Sequence, residues 1–122
     1  MKKEFNNSDD CHIYSSAKKL HLYIIKYLSS KIPKVYANLR VSLNDECNSL
    51  IKNIYASYLT DGSIRKKYIN LSCVSISVIN HYFQMLDELD IIDNKTIISI
   101  SKLLADVKIS LFAWRNKVIN EK

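Results

Sequence analysis

The side chains able to do chemistry in this 122-residue chain are scattered, and their spacing excludes most reactions before any fold is considered. His12, His21 and His81 lie far apart, and none forms the four-residue pair with a carboxylate that a helical zinc site uses. Cys11 and His12 are adjacent, and adjacent residues on a helix do not converge on one ion. Asp87, Glu88, Asp90 and Asp93 cluster with no base among them. A solvated turn accounts for them better than a divalent-cation site, and without Glu-x-x-His on any helix a di-iron centre has no ligands. No Gly-rich loop is present to cradle a nucleotide phosphate, and no nucleophile, base and orienting residue can be named together. The expectation is a non-enzymatic protein with no metal and no cofactor.

What remains is positive charge. The chain carries 18 Lys and Arg against 12 Asp and Glu, a net charge of +6, and between Lys18 and Lys67 ten bases face only Asp45, Glu46 and Asp61. A basic surface of this kind attracts polyanions. Arg65, Lys66 and Lys67 are consecutive and fall in the first turn of an expected helix, where a phosphate would also meet the positive helix terminus. Lys34 and Arg40 flank the start of the preceding helix, and Lys108, Arg115 and Lys122 recur every seven residues close to one face of the last. These are the candidate nucleic-acid contacts. Each has a plainer reading as a solvated charge, and Arg65 could instead pair with Asp61 across the turn. Trp114 could stack a base, but it shares a stripe with Val107 and Leu111, which places it in the core.

The elements that must position these residues are long helices. One Gly and one Pro are too few for the tight turns of a sandwich or barrel. Apolar residues at 48% exclude disorder, and this length buries about two thirds of the unfolded surface without help from metals or disulfides. Cys11, Cys47 and Cys73 form no C-x-x-C pair. No leader-like apolar run follows Lys2 and Lys3, and no stretch of about 18 apolar residues could span a membrane. A reduced, cytoplasmic setting is expected.

Residues 1–8 read as a flexible N-terminus and 9–122 as one bundle domain. Ser8, Asp9 and Asp10 start a first helix with Ile13, Ala17, Leu20, Ile24, Tyr27 and Leu28 on its buried side, ended by Pro33. Leu39, Leu43, Cys47, Leu50, Ile54 and Tyr58 mark the second, with Gly62 as its left-handed cap and Ser63 as the N-cap of the third. Ile64, Tyr68, Leu71, Ser75, Val78, Tyr82, Met85 and Leu89 are the stripe expected for the third. Residues 74–78 and 97–101 alternate like strands, but uninterrupted length favours helix. Asp93 or Asn94 caps a fourth helix through Ile97, Ile100, Leu104, Val107, Leu111, Trp114 and Val118. Short connections then predict an all-α, antiparallel up-down-up-down four-helix bundle. Leu22, Ile25, Ile51, Ile69 and Ile98 fall outside these stripes and suggest a second apolar face for self-association.

With the helices placed, Ile32-Pro33-Lys34 at the first reversal, Tyr55-Ala56-Ser57-Tyr58-Leu59, Leu104-Ala105-Asp106-Val107 and Phe112-Ala113-Trp114 follow one another in an order that resembles the Avd family, the accessory proteins of diversity-generating retroelements. The resemblance covers roughly residues 20–118. It implies a non-catalytic homopentamer that binds a retroelement reverse transcriptase and its template RNA, with the cDNA as a further ligand. The family's L-R-x-x-L-R pattern is replaced here by residues 79–84, so Asn80 and Gln84 stand where two arginines are usual and carry no phosphate-neutralising charge. A second resemblance is to bundles encoded by intervening sequences in 23S ribosomal RNA genes, whose N-I-A-E-G stretch compares with Asn53-Ile54-Tyr55-Ala56-Ser57. It implies a four-helix bundle without nucleic-acid binding, while Asn80 and Gln84 point to a further alternative, a protein-only scaffold.

Overall fold

Pro33 and Gly62, the chain's single proline and glycine, both mark helix boundaries: Pro33 lies between two short 3-10 turns and Gly62 is the first residue of a helix. The computed structural model describes residues 8–120, with side chains from His12 onward, so the expected flexible 1–7 and Lys122 lie outside the described residues, as do the capping side chains of Ser8, Asp9 and Asp10. Four α-helices follow in order: α1 (Ser8–Tyr23), α2 (Ala37–Leu59), α3 (Gly62–Glu88) and α4 (Asn94–Ile119). No strand occurs among the described residues, and the alternating stretches 74–78 and 97–101 are helical. The described residues form an all-helical fold.

α1 does not stop cleanly. It widens into a π turn (Ile24–Leu28) and tightens into a 3-10 turn (Ser29–Lys31) before Ile32 becomes extended at φ −84°, ψ 117°. Pro33 enforces that break, because its ring excludes the α region for the residue before it. A second 3-10 turn (Lys34–Tyr36) then leads into α2.

One core joins the four helices. It is built from Ile13, Ala17 and Leu20 of α1, Leu43, Cys47, Leu50 and Ile54 of α2, Ile76, Ile79, Phe83 and Leu86 of α3, and Ile100, Leu104, Val107 and Leu111 of α4. Each Ile, Leu, Val or Phe among them contributes roughly 1.5–3 kcal/mol by leaving water. α2 packs on α3, α3 on α4, and α1 on both α2 and α4. Ser16, Ser57 and Ser72 are also buried, and each hydroxyl donates to a carbonyl of its own helix: Ile13 at 3.0 Å, Ile54 at 2.8 Å and Tyr68 at 2.9 Å. Those bonds remove most of the penalty of burying a hydroxyl.

Several expectations are corrected. Tyr27, read on the buried side of the first helix, is 56% exposed. The buried side of α3 runs through Ile69, Ser72, Ser75, Ile76, Ile79, Phe83 and Leu86. Of the stripe read from the sequence only Ser75 is buried, whereas Ile64, Leu71, Met85 and Leu89 are exposed. Ile69, read as part of an outer face, is 1% exposed. Gly62 does take the left-handed conformation at φ +59°, but as the first residue of α3, with Asp61 rather than Ser63 as the N-cap. The remaining ends follow familiar rules. Asp93 caps α4, its carboxylate accepting from the Thr96 N–H at 2.8 Å. α3 closes on Asp90 at φ +56°, with Ile91 N–H donating to the Leu86 carbonyl and Asp90 N–H to that of Asp87. This is a Schellman closure with aspartate in the place glycine usually takes.

Candidate nucleic-acid interface

The cations singled out in the sequence are divided between the two ends of α2, a helix about 35 Å long. At one end stand Arg65, Lys66 and Lys67 in the first turns of α3. Arg115 joins them from α4, its Nε donating to Asn70 Oδ1 at 3.1 Å, which sets the last turns of α4 beside the start of α3. Lys108 is half-buried two turns earlier on α4. Lys117, not singled out in the sequence because it falls off the seven-residue line, is exposed in the last turn of α4. At the other end, Lys34 is exposed in the 3-10 turn after Pro33, and Arg40 is half-buried in the first turn of α2. Lys31 Nζ reaches Thr96 Oγ1 at 3.1 Å, so this end also holds the start of α4 and the acids of the α3–α4 connection.

Within the first group the roles differ. Arg65 is half-buried, and its guanidinium donates to the carbonyls of Ser57 at 2.9 Å and Tyr58 at 3.4 Å. Its side chain closes the end of α2, and does not form the expected pair with Asp61. Lys66 is exposed. Lys67 is exposed too, its Nζ 5.8 Å from the centre of the Tyr68 ring, a loose cation–π contact that leaves the ammonium available to solvent. Asp61 is the acid of this connection. Lys66, Lys67, Arg115 and Lys117 are exposed cations at this end of the helices.

Asn80 and Gln84 stand on α3 in a groove against α4 of about 110 Å³, which Asp87 also lines. A carboxylate on the same wall repels phosphate, so this part of α3 offers hydrogen bonds without attraction. Trp114 is half-buried and packs against the core. Among the described residues no three His, Cys, Asp or Glu side chains converge as a metal-binding group. Among the same residues no helix is long and apolar enough to cross a membrane. Neither a protein-family model, nor a characterised protein, nor a solved structure matches this chain.

Proposed function

We propose that this chain is a non-catalytic accessory protein that assembles with copies of itself and holds RNA beside a reverse transcriptase in the cytoplasm, supporting cDNA synthesis. The observation that carries the RNA part is the group of Lys66, Lys67, Arg115 and Lys117 at one end of the helices, all exposed. Mobile ammonium groups and a guanidinium there would neutralise phosphates without reading bases. The reverse-transcriptase partner rests on the resemblance of Ile32-Pro33-Lys34, Leu104-Ala105-Asp106-Val107 and Phe112-Ala113-Trp114 alone. The arrangement proposed for the helices is antiparallel, up-down-up-down. It is supported by two pairs: an early residue of α1 meets a late one of α2, Tyr14 with Tyr55, ring centres 5.3 Å apart, and a late residue of α1 meets an early one of α2, His21 with Asn44 at 2.7 Å.

The test is the salt dependence of binding to a structured RNA, for the natural chain and for Lys66→Glu/Lys67→Glu. Loss of two phosphate contacts should lower the log–log salt slope by about 1.4 to 1.8. No RNA binding at low salt by the natural chain sinks this reading. The protein-only scaffold then takes its place, a reading favoured by the use of Arg65 inside the fold and by Asp87 beside Gln84.

A further inference from the structure

Beside α4, the solvent side of α3 holds an open groove of about 510 Å³. Asn70, Cys73, Val74, Ser77, Val78 and His81 line it from α3, and Arg115 reaches it from α4. Between Asn70 and His81 the groove follows α3 for about 17 Å, roughly three turns of helix. Val74 and Val78 give it an aliphatic strip, the first 58% exposed and the second half-buried. Arg115 is its one fixed charge, for no Asp, Glu or Lys lines it among the described residues. Asp87 lines a different groove, the one beside Asn80 and Gln84.

Arg115 is also held in place. Its Nε donates to Asn70 Oδ1 at 3.1 Å, which leaves the two terminal nitrogens for a ligand and restricts the plane of the guanidinium. Such a fork meets a carboxylate through two parallel hydrogen bonds, and a side chain already ordered loses less freedom on binding. The same charge is near enough to Cys73 to oppose the upward push of burial on that thiol. Asn70 thus fixes the cation at one end of the groove, and Val74 and Val78 follow one and two turns further along α3.

We propose that this groove docks an acidic amphipathic helix of a partner protein, with an Asp or Glu on Arg115 and an aliphatic side chain on Val74 and Val78. The fixed charge sets the sign of the partner, the aliphatic strip requires its apolar face, and the open length suits a helix laid in a groove. A small carboxylate would stay largely in water here, whereas small-molecule pockets enclose most of their ligand. An RNA strand would carry further phosphates onto Val74 and Val78, where no lining cation neutralises them. The proposal stands without the function proposed above. It gives Arg115 a carboxylate and leaves Lys66, Lys67 and Lys117 for phosphate.

Selection of phage-displayed random peptides, about four helical turns long, on the full natural chain tests this. Enriched peptides should share an Asp or Glu three or four residues from a Leu, Ile, Val or Met, the spacing of one helix face. A synthetic copy should lose roughly tenfold or more in affinity on Arg115→Gln and several-fold on Val74→Ser, with both variants keeping the natural helical spectrum. At ten times its Kd it should slow alkylation of Cys73 about tenfold, since it leaves about that fraction of groove open. No enrichment, a consensus without an acid, affinity untouched by either substitution, or Cys73 labelled at an unchanged rate would overturn the proposal. So would protection of Cys73 by RNA alone, or self-association of the natural chain that Val74→Ser abolishes, because RNA or a second copy would then be the occupant. Val74→Ser removes no cation, so its RNA binding should equal that of the natural chain while its peptide affinity falls. A natural chain that binds the peptide and no RNA removes only the RNA reading.

Discussion

The guanidinium of Arg65 closes the end of α2 by donating from Nε to the Ser57 carbonyl at 2.9 Å and from Nη2 to the Tyr58 carbonyl at 3.4 Å. The last carbonyls of a helix have no partner within it, and a positive charge beside them also meets the negative end of the helix dipole. One residue of the basic triplet thus stabilises the fold while its two neighbours face solvent.

Arg65→Ala should lower stability by about 1 to 2 kcal/mol in urea unfolding, the scale of hydrogen bonds from a charged group. Arg65→Lys should recover less than half of that, since an ammonium lacks the planar fork. Lys66→Ala and Lys67→Ala should leave the urea midpoint nearly unchanged. Equal losses at all three positions would contradict the division of roles.

Asp90 holds a left-handed backbone at φ +56°. Aspartate tolerates this region better than most residues but still bears a steric cost that glycine does not. Asp90→Gly should raise stability by about 0.5 to 1 kcal/mol, and Asp90→Val should lower it. Thermal melts of the two variants are the check, and a loss of stability in the glycine variant would argue against the closure described here.

Burial first, and the neighbouring Glu46 second, push the Cys47 thiol up to about 12 from 9.0. Above pH 9 the unfolded chain therefore loses this proton while the native chain keeps it, so stability should fall as pH rises from 9 towards 12. Cys73 is also raised by its burial, with Arg115 opposing the shift. In mass-spectrometric alkylation of the native protein, Cys73 should be modified well before Cys47. Cys47 should react only once denaturant is present, and fast native labelling of it would sink the assignment.

Hydrogen bonds from the Thr96 side chain and backbone hold the Asp93 carboxyl below its ordinary 3.8. The cap is intact above that value, and its contribution is lost as pH falls through the lower, native one. Asp93→Asn, which keeps an accepting oxygen without the titration, should unfold with a flatter pH dependence between neutral and strongly acid solution. Identical acid-unfolding curves for the two proteins would contradict this.

The sequence exposes some of this arrangement and hides the rest for identifiable reasons. Helix boundaries at Pro33 and Asp93 were legible because proline geometry and carboxylate capping are local effects. The α4 stripe from Ile100 to Val118 was legible because Ile100, Leu104, Val107, Leu111 and Val118 recur at steps of three, four and seven residues, and all are buried. α3 misled because it has two apolar lines, and because Ser72 and Ser75 lie on the buried one. A serine that bonds its own helix carbonyl is compatible with a core, yet reads in sequence as a surface residue. At the candidate site, the sequence places Arg65, Lys66 and Lys67 together correctly. It does not reveal that Arg65 is turned towards α2, because that depends on a contact between helices.

The π turn at Ile24–Leu28 carries a further consequence for how this helix tolerates changes in length. Ser29 N–H donates to the Ile24 carbonyl five residues back, one residue more than an α-helical turn contains. Ile24, Leu28 and Ile32, each four residues from the last, are all buried. Removing any one residue from 25–27 would turn that spacing into three and then four, the step of an ordinary α-helix, with the same three side chains still facing inward. The wide turn thus behaves as a one-residue insertion absorbed on the solvent side, and a chain shortened by one residue there should keep its core.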